Sequence, residues 1–309
     1  MKKSTGVVVG ALDSKGLPSP FPAVEHHRVA DFLALTKPRL NFLVVVTAAV
    51  GYYLGAGSHL DVMRLVEAIV GTALVAGGAA GLNQLSERET DSLMWRTRAR
   101  PLAARRLTSH EALIFSLALA GTGLAILLIT ANLLAAFLAL LTLVSYNLVY
   151  TPMKRRSQLA TLIGAVPGAL PPMIGWTAAH QSLTVEAWAL FAIVFIWQIP
   201  HFMAIAWLYR EDFRRAGFPL LPVVHPDGRS TGRQAAAFSL LLIPVSVAPY
   251  LLRMAGTAYG LGAVAGGFGL LALALVFAAD RTDDRARRLF LGSITYLPLL
   301  WLLLVANRL

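Results

Sequence analysis

Asn83, Glu87 and Asp91 stand at four-residue intervals in NQLSERETDSLMWRTRARPL, the segment Asn83 to Leu102 that follows the apolar run Ala68 to Leu82. If the helix of that run continues, these positions drift only about 80° around an axis that turns roughly 100° per residue. One amide and two carboxylates then share a face, while Glu89 points away from it. Clustered oxygens of this kind suit Mg²⁺, which is held by one or two carboxylates together with substrate phosphates rather than by a complete protein cage. Arg96, Arg98 and Arg100 follow, and arginines grip phosphate oxygens. A charged loop obeying the positive-inside rule is the alternative reading of those arginines.

Two further stretches carry groups that can do chemistry. In IWQIPHFMAIAWLYREDFRRAGFPLLPVV, Ile196 to Val224, Pro200 is expected to bend a membrane helix, and His201, Ile205, Leu208 and Asp212 fall on one stripe at i, i+4, i+7 and i+11. An ionisable residue inside a membrane is costly and marks function by default, although His201 also reads as a hydrogen-bonded packing residue. Glu211 and Asp212, followed by Arg214 and Arg215, repeat the acid-then-base order of the first segment. In YTPMKRRS, Tyr150 to Ser157, Pro152 is expected to end a helix and leave Lys154 and Arg155 within reach of an anion held by the first segment. The acids of DRTDDRARR, Asp280 to Arg288, are interleaved with arginines and read as a solvated loop without chemistry.

These groups need elements to hold them, and composition says which kind. With 57% hydrophobic residues, 14% charged residues and a mean hydropathy of +0.64 over 309 residues, the chain reads as a polytopic, all-α membrane protein. Eight runs lack Asp, Glu, Lys and Arg: Leu40 to Leu60, Ala68 to Ser86, Ala112 to Met153, Ser157 to Val185, Ala187 to Tyr209, Gln234 to Leu252, Met254 to Ala279 and Leu289 to Asn307. A span needs about 20 apolar residues, so the third run holds two, hinged at Thr130 to Asn132, and nine transmembrane helices are expected. All Lys and Arg except Arg64, Arg253 and Arg308 then fall on one side. That asymmetry puts the N-terminus and the charged segments in the cytoplasm and the C-terminus outside. The net charge of +11 thus describes one face, near anionic lipid and anionic substrates.

Residues 1–30 mix Pro, Gly, Ser and charge without periodicity and read as a flexible cytoplasmic arm, with an interfacial helix near Asp31 to Leu35; residues 31–309 form the membrane domain. Val7 to Leu12 is too short for a signal peptide, so no cleavable signal is expected. No cysteine is present, which excludes disulfides, thiolate nucleophiles, iron–sulfur clusters and covalent haem attachment. Nothing resembles a soluble nucleic-acid-binding module, and no nucleic-acid partner is expected. Four helices separate Asp91 from Asp212, which is consistent with a four-helix pseudo-repeat whose two acidic clusters face one another across a shared central cavity.

The combination of Asn83-x3-Glu87-x3-Asp91, RTRARPL, Tyr150-x3-Lys154-Arg155 and the Glu211–Asp212 exit of the sixth helix resembles the UbiA-type intramembrane prenyltransferases. The strings PHFMAIAWLYREDF and AGFPLLPVV, Pro200 to Phe213 and Ala216 to Val224, are most similar to the haem-farnesylating branch of that superfamily. The resemblance covers Asp31 to Leu309. It implies nine helices around a lipid-accessible cavity, farnesyl diphosphate and haem b as substrates, Mg²⁺ as cofactor, and release of diphosphate as water adds to the haem side chain. It assigns Asn83, Glu87 and Asp91 to a first metal motif, and Asp212, helped by Glu211, to a second. Arg96, Arg100, Lys154 and Arg155 become diphosphate binders, Tyr150, Tyr209 and Trp207 cation-stabilising linings, and His201 the residue on the haem side. It also implies a bacterial inner-membrane location and hand-over partners such as haem A synthase or terminal oxidase assembly factors. Glu87 replaces the usual aspartate of the first motif, and Ala216 stands where the second motif usually has its other aspartate. Prenylation of another aromatic acceptor on the same scaffold, and transport of an organic anion, are the competing readings.

Overall fold

A computed structural model describes residues 28–309; all of the expected arm except Arg28 to Ala30 lies outside the described residues. Among the described residues the chain is helical throughout, with a single isolated bridge between Ala255 and Arg308 in place of any strand. The chain opens with α1 (Arg28–Leu35), which is bent 46° from α2 (Pro38–Gly55). Pro38 at the first position of α2 supplies the fixed φ that starts a helix and lacks the N–H that would have no partner there.

Next come α3 (Val62–Leu93), capped by the Asp61 side chain accepting from the Arg64 amide at 3.1 Å, and α4 (Ser109–Ile126), entered through a reciprocal Thr108–Glu111 capping box. A π-helical turn, Leu127–Ala131, then leads to α5 (Leu133–Val144). The break falls at Asn132, at the expected hinge. Asn132 is extended, accepts from the Ala135 amide to cap α5, and donates across to the Thr177 carbonyl at 2.7 Å.

A second π-helical segment, Ser145–Tyr150, runs into α6 (Thr151–Met153), so the helix ends one residue beyond Pro152. α7 (Ala160–Ala169) and α8 (Pro171–His180) divide one span where Pro171 and Pro172 follow Leu170. The remaining helices are α9 (Val185–Leu208), α10 (Arg210–Arg215), α11 (Leu221–Val224), α12 (Arg229–Leu251), α13 (Thr257–Ala279) and α14 (Asp283–Ala306). Among the described residues eight helices are long and apolar enough to cross a membrane, and nine if the bent pair α1–α2 is one span.

One expectation fails here for a local reason. The stripe of His201, Ile205 and Leu208 is half-buried as a unit, but α9 stops at Leu208. Tyr209 departs from helical geometry at φ −110°, ψ 22°, and α10 starts afresh, so Asp212 does not extend the stripe.

Lipid gives no hydrophobic drive between helices, and small residues that let backbones approach supply the packing instead. The α3–α4 contact is built on Gly71, Gly78, Gly81 and Gly123: a Cβ on Gly78 would stand 2.5 Å from the Ser116 carbonyl oxygen. The α2–α8 contact is closer still, since a Cβ on Gly175 would meet the Ala48 carbonyl oxygen at 1.8 Å. At the far end of the bundle Arg308 donates to the carbonyls of Tyr53, at 2.8 Å, and Gly57, tying the C-terminus to the end of α2.

Candidate active site

At 32 residues α3 is about 48 Å long, well beyond a hydrocarbon core of about 30 Å, so its last turns reach the membrane surface. Those turns carry the acids. Asn83, Glu87 and Asp91 are 1%, 2% and 1% exposed, whereas Ser86, Arg88 and Glu89 between them are exposed. The spacing therefore does put one amide and two carboxylates on a single inward face, with Glu89 outside it.

Each member of that face meets a cation. Arg100 Nη1 donates to both oxygens of Asp91 at 2.9 and 2.8 Å. Lys154 Nζ donates to both oxygens of Glu87 at 2.8 and 3.2 Å, and Lys37 Nζ donates to Asn83 Oδ1 at 2.8 Å. The Asn83 amide nitrogen donates to Thr151 Oγ1 at 3.1 Å, and the Tyr146 hydroxyl lies 3.4 Å from Asn83 Oδ1. Burial alone would lower the Lys154 pKa, but the facing oxygens of Tyr150, Glu87 and Tyr146 outweigh it and hold it above the ordinary lysine value of 10.5. A pKa raised by folding stabilises the folded state below the unfolded value, so this pair is intact at neutral pH and weakens only on passing above the ordinary lysine range.

Asp212 reaches the same region by another route. Its two oxygens accept from the backbone amides of Trp95 and Arg96, both at 3.2 Å, so the exit of α9 clamps the loop that leaves α3. The two acidic segments do meet, through this loop. Arg96 lies over the Tyr209 ring at 4.9 Å and the Phe213 ring at 5.9 Å. Hydrogen bonds to a charged acceptor contribute about 1.5–3 kcal/mol each. Asp212→Ala is therefore expected to speed hydrogen exchange at the Trp95 and Arg96 amides by roughly tenfold or more. Unchanged exchange at both would rule out the clamp.

Not every anticipated residue joins the cluster. Glu211 is exposed and paired with Arg214, Arg155 is exposed on the Ser86 carbonyl at 3.2 Å, and Trp207 packs with Arg210 and Phe277. His201 lies apart, bonded to Ser293 and stacked with Trp197 and Phe290. Tyr150 does reach the site, with its ring 5.3 Å from Lys154 Nζ.

Three residues absent from the sequence reading belong to the cluster: Lys37, Tyr146 and Thr151. Lys37 occupies a left-handed conformation, φ 48°, directly before Pro38, and its bond to Asn83 spans 46 residues of chain. No periodicity links positions so far apart. Tyr146 and Thr151 lie in and just after the second π-helical segment, where a wider turn re-aims side chains; such turns are frequent at functional sites.

The donors are oxygens on buried carboxylates and an amide, a set suited to a hard cation such as Mg²⁺. Among the described residues, no three of His, Cys, Asp and Glu converge closely enough to hold a metal ion by themselves. Two cavities, of about 390 and 430 Å³, lie away from the cluster, one lined by apolar residues of α9 and α12 and the other by Arg88, Arg105 and the start of α4.

Residues 44–303 match the model of the UbiA prenyltransferase family. The chain is 46% identical over 287 residues to a protein named protoheme IX farnesyltransferase from Solibacter usitatus (strain Ellin6076), covering 90% of this chain and 98% of the relative. It is 44% identical over 277 residues to a protein of the same name from Salinibacter ruber (strain DSM 13855 / M31), with coverage of 90% and 98%. Among solved structures, the fold is similar to that of a digeranylgeranylglyceryl phosphate synthase, with a TM-score of 0.76 at 16% identity over 91% of this chain and 98% of the other. It is also similar to a UbiA homologue from Archaeoglobus fulgidus bound to GPP and Mg²⁺, with a TM-score of 0.63 at 16% identity over 89% and 99%.

Proposed function

This chain belongs to the UbiA prenyltransferase family, and on that footing we infer that it transfers the farnesyl group of farnesyl diphosphate to the 2-vinyl group of haem b, with addition of water. The observation that carries this reading is likeness at 40–46% identity, along about 90% of the chain, to relatives named for protoheme IX farnesylation. The enzyme is a multi-pass membrane protein. Its home is the bacterial inner membrane, with the charged cluster and the N-terminus cytoplasmic and the C-terminus on the opposite side; the one-sided distribution of Lys and Arg supports that orientation.

The reaction balances without a strong nucleophile in the protein. The C1–O bond of farnesyl diphosphate breaks and diphosphate leaves with the electron pair. The vinyl π electrons then form the new C–C bond to the allylic cation. Water adds to the cation left on the haem side chain and loses a proton, giving hydroxyethylfarnesyl haem and diphosphate.

Asn83, Glu87 and Asp91, with Asp212 beyond the loop, would hold Mg²⁺, and the phosphate oxygens of the substrate complete its shell. When bound, Mg²⁺ supplies charge stabilisation to the departing diphosphate. Lys154, Arg100, Lys37 and Arg96 bind the diphosphate and orient it, the first three exchanging an acid or amide oxygen for phosphate oxygens of the substrate. Glu211, paired with Arg214, and Arg155, on the Ser86 carbonyl, are both exposed at the rim of this cluster and would act on the metal and the diphosphate only from outside it. Tyr150, Tyr146 and Tyr209 offer ring faces that stabilise an allylic cation and exclude water from it. His201, inside α9, stands on the haem side. The product passes to haem A synthase or to terminal oxidase assembly factors.

The test is incubation of the purified protein with haem b, farnesyl diphosphate and Mg²⁺, with a chelator control, and mass spectrometry of the haem. A metal-dependent product carrying one farnesyl and one added water is expected. Release of diphosphate with haem unchanged would leave a prenyltransferase with a different aromatic acceptor.

A further inference from the structure

Ser293, on α14, is the hydrogen-bond partner of His201, on α9. Ser293 is 0% exposed, and its Oγ lies 2.7 Å from the Phe290 carbonyl oxygen and 2.9 Å from His201 Nδ1. Two oxygens at 2.7 Å need a hydrogen between them, and a carbonyl has none to give. The single hydroxyl hydrogen of Ser293 is therefore spent on Phe290. His201 Nδ1 must carry the proton that joins it to Oγ.

The ring has two aromatic neighbours stacked on it, Trp197 at 5.0 Å and 21° and Phe290 at 5.1 Å and 27°. Trp197 Nε1 also donates to the Ser293 carbonyl at 2.8 Å, so one short segment of α14 holds both rings. The ring's neighbours are a hydroxyl and two aromatic rings, with no carboxylate beside it among the described residues, surroundings that suit a neutral imidazole. A neutral imidazole has one N–H; with it on Nδ1, Nε2 keeps a free lone pair. Nε2 has no hydrogen-bond partner among the described residues, and His201 is half-buried rather than buried. His201 lies seven residues before the end of α9, about 10 Å inside the span.

We propose that Ser293 is a positioning residue that fixes His201 in the Nδ1–H tautomer and presents Nε2 as an axial iron ligand to the metalloporphyrin substrate. This rests on the haem reading above. A ligating histidine that donates its other N–H to a fixed acceptor is oriented and made more basic, and loss of such an acceptor costs roughly 10–100-fold in metal affinity.

The experiment is titration of the purified full chain with haem b, read by absorbance, and resonance Raman of the ferrous complex. The wild type is expected to show an iron–histidine band. His201→Gly should lose the band and regain it with added imidazole. Ser293→Ala should keep the band at a lower frequency, because the Nδ1–H has lost its acceptor, and should bind haem about tenfold more weakly. Unchanged band and affinity in Ser293→Ala would overturn the role of Ser293, and a retained band in His201→Gly would overturn the ligand assignment. Farnesyl diphosphate binding by each variant serves as the check on folding, and a variant that fails it is replaced by Ser293→Cys, whose weak acceptor predicts an intermediate frequency. If the wild type farnesylates haem while both variants look like it, only this inference fails. If the wild type neither binds nor alters haem, the substrate reading has failed instead.

Discussion

Asp91→Ala is expected to lower prenyl transfer on the order of 10³-fold, the scale seen when a preorganised group that stabilises developing charge is removed. Two effects combine in that variant. The carboxylate that would ligate the metal is gone, and Arg100, held through both oxygens of Asp91, loses its partner. Removing one member of a buried pair costs about 3–5 kcal/mol, and because the Arg100 side chain remains 23% exposed to solvent the lower end applies. The two effects separate in the double variant Asp91→Ala with Arg100→Leu. Its thermal stability should recover toward wild type while turnover stays low. Metal-dependent diphosphate release and thermal unfolding in detergent provide the measurements. Turnover within about tenfold of wild type in Asp91→Ala would remove this residue from the metal site.

The second large effect falls on folding. Gly175→Ala places a methyl group 1.8 Å from the Ala48 carbonyl oxygen and 2.8 Å from the Tyr52 amide nitrogen. Overpacking costs about 1–3 kcal/mol when side chains can shift, but here the obstacles are backbone atoms of α2, so two helices must part. Loss of the monodisperse folded peak in gel filtration is expected. Gly121→Ala, where a Cβ meets nothing within 4 Å, is the control and should leave the peak in place. A folded Gly175→Ala protein of normal stability would mean that α2 and α8 are not locked together as described.

What the sequence made legible followed periodicity and charge. The four-residue spacing of Asn83, Glu87 and Asp91 is a helical signal, and the exposure of Ser86, Arg88 and Glu89 between them answers it. The break at Asn132 was readable because Asn is both a turn former and a cap. The stripe from His201 was readable only as far as the helix ran, and nothing in LYRED announces that Tyr209 leaves helical geometry. Contacts between distant segments were illegible. Lys37 on Asn83, Ser293 on His201 and the Asp212 clamp span 46, 92 and 117 residues, and their partners are chosen by packing, not by local pattern. Two π-helical segments, which shift the register of Tyr146 and Thr151, also lack a compositional signature.

The pairing in the acid cluster also has an order in time, because a chain is made from its N-terminus. Arg100 emerges nine residues after Asp91, so that pair forms almost at once. Glu87 precedes Lys154 by 67 residues, with α4 and α5 between them. While those helices are being laid into the bilayer, Lys154 is still to come, and Lys37, already made, is the partner of Asn83. Glu87 must wait where water can solvate it, at the surface end of a helix too long to be swallowed by lipid. The excess length of α3 thus keeps an unpartnered carboxylate wet during synthesis, until Lys154 arrives to seal it.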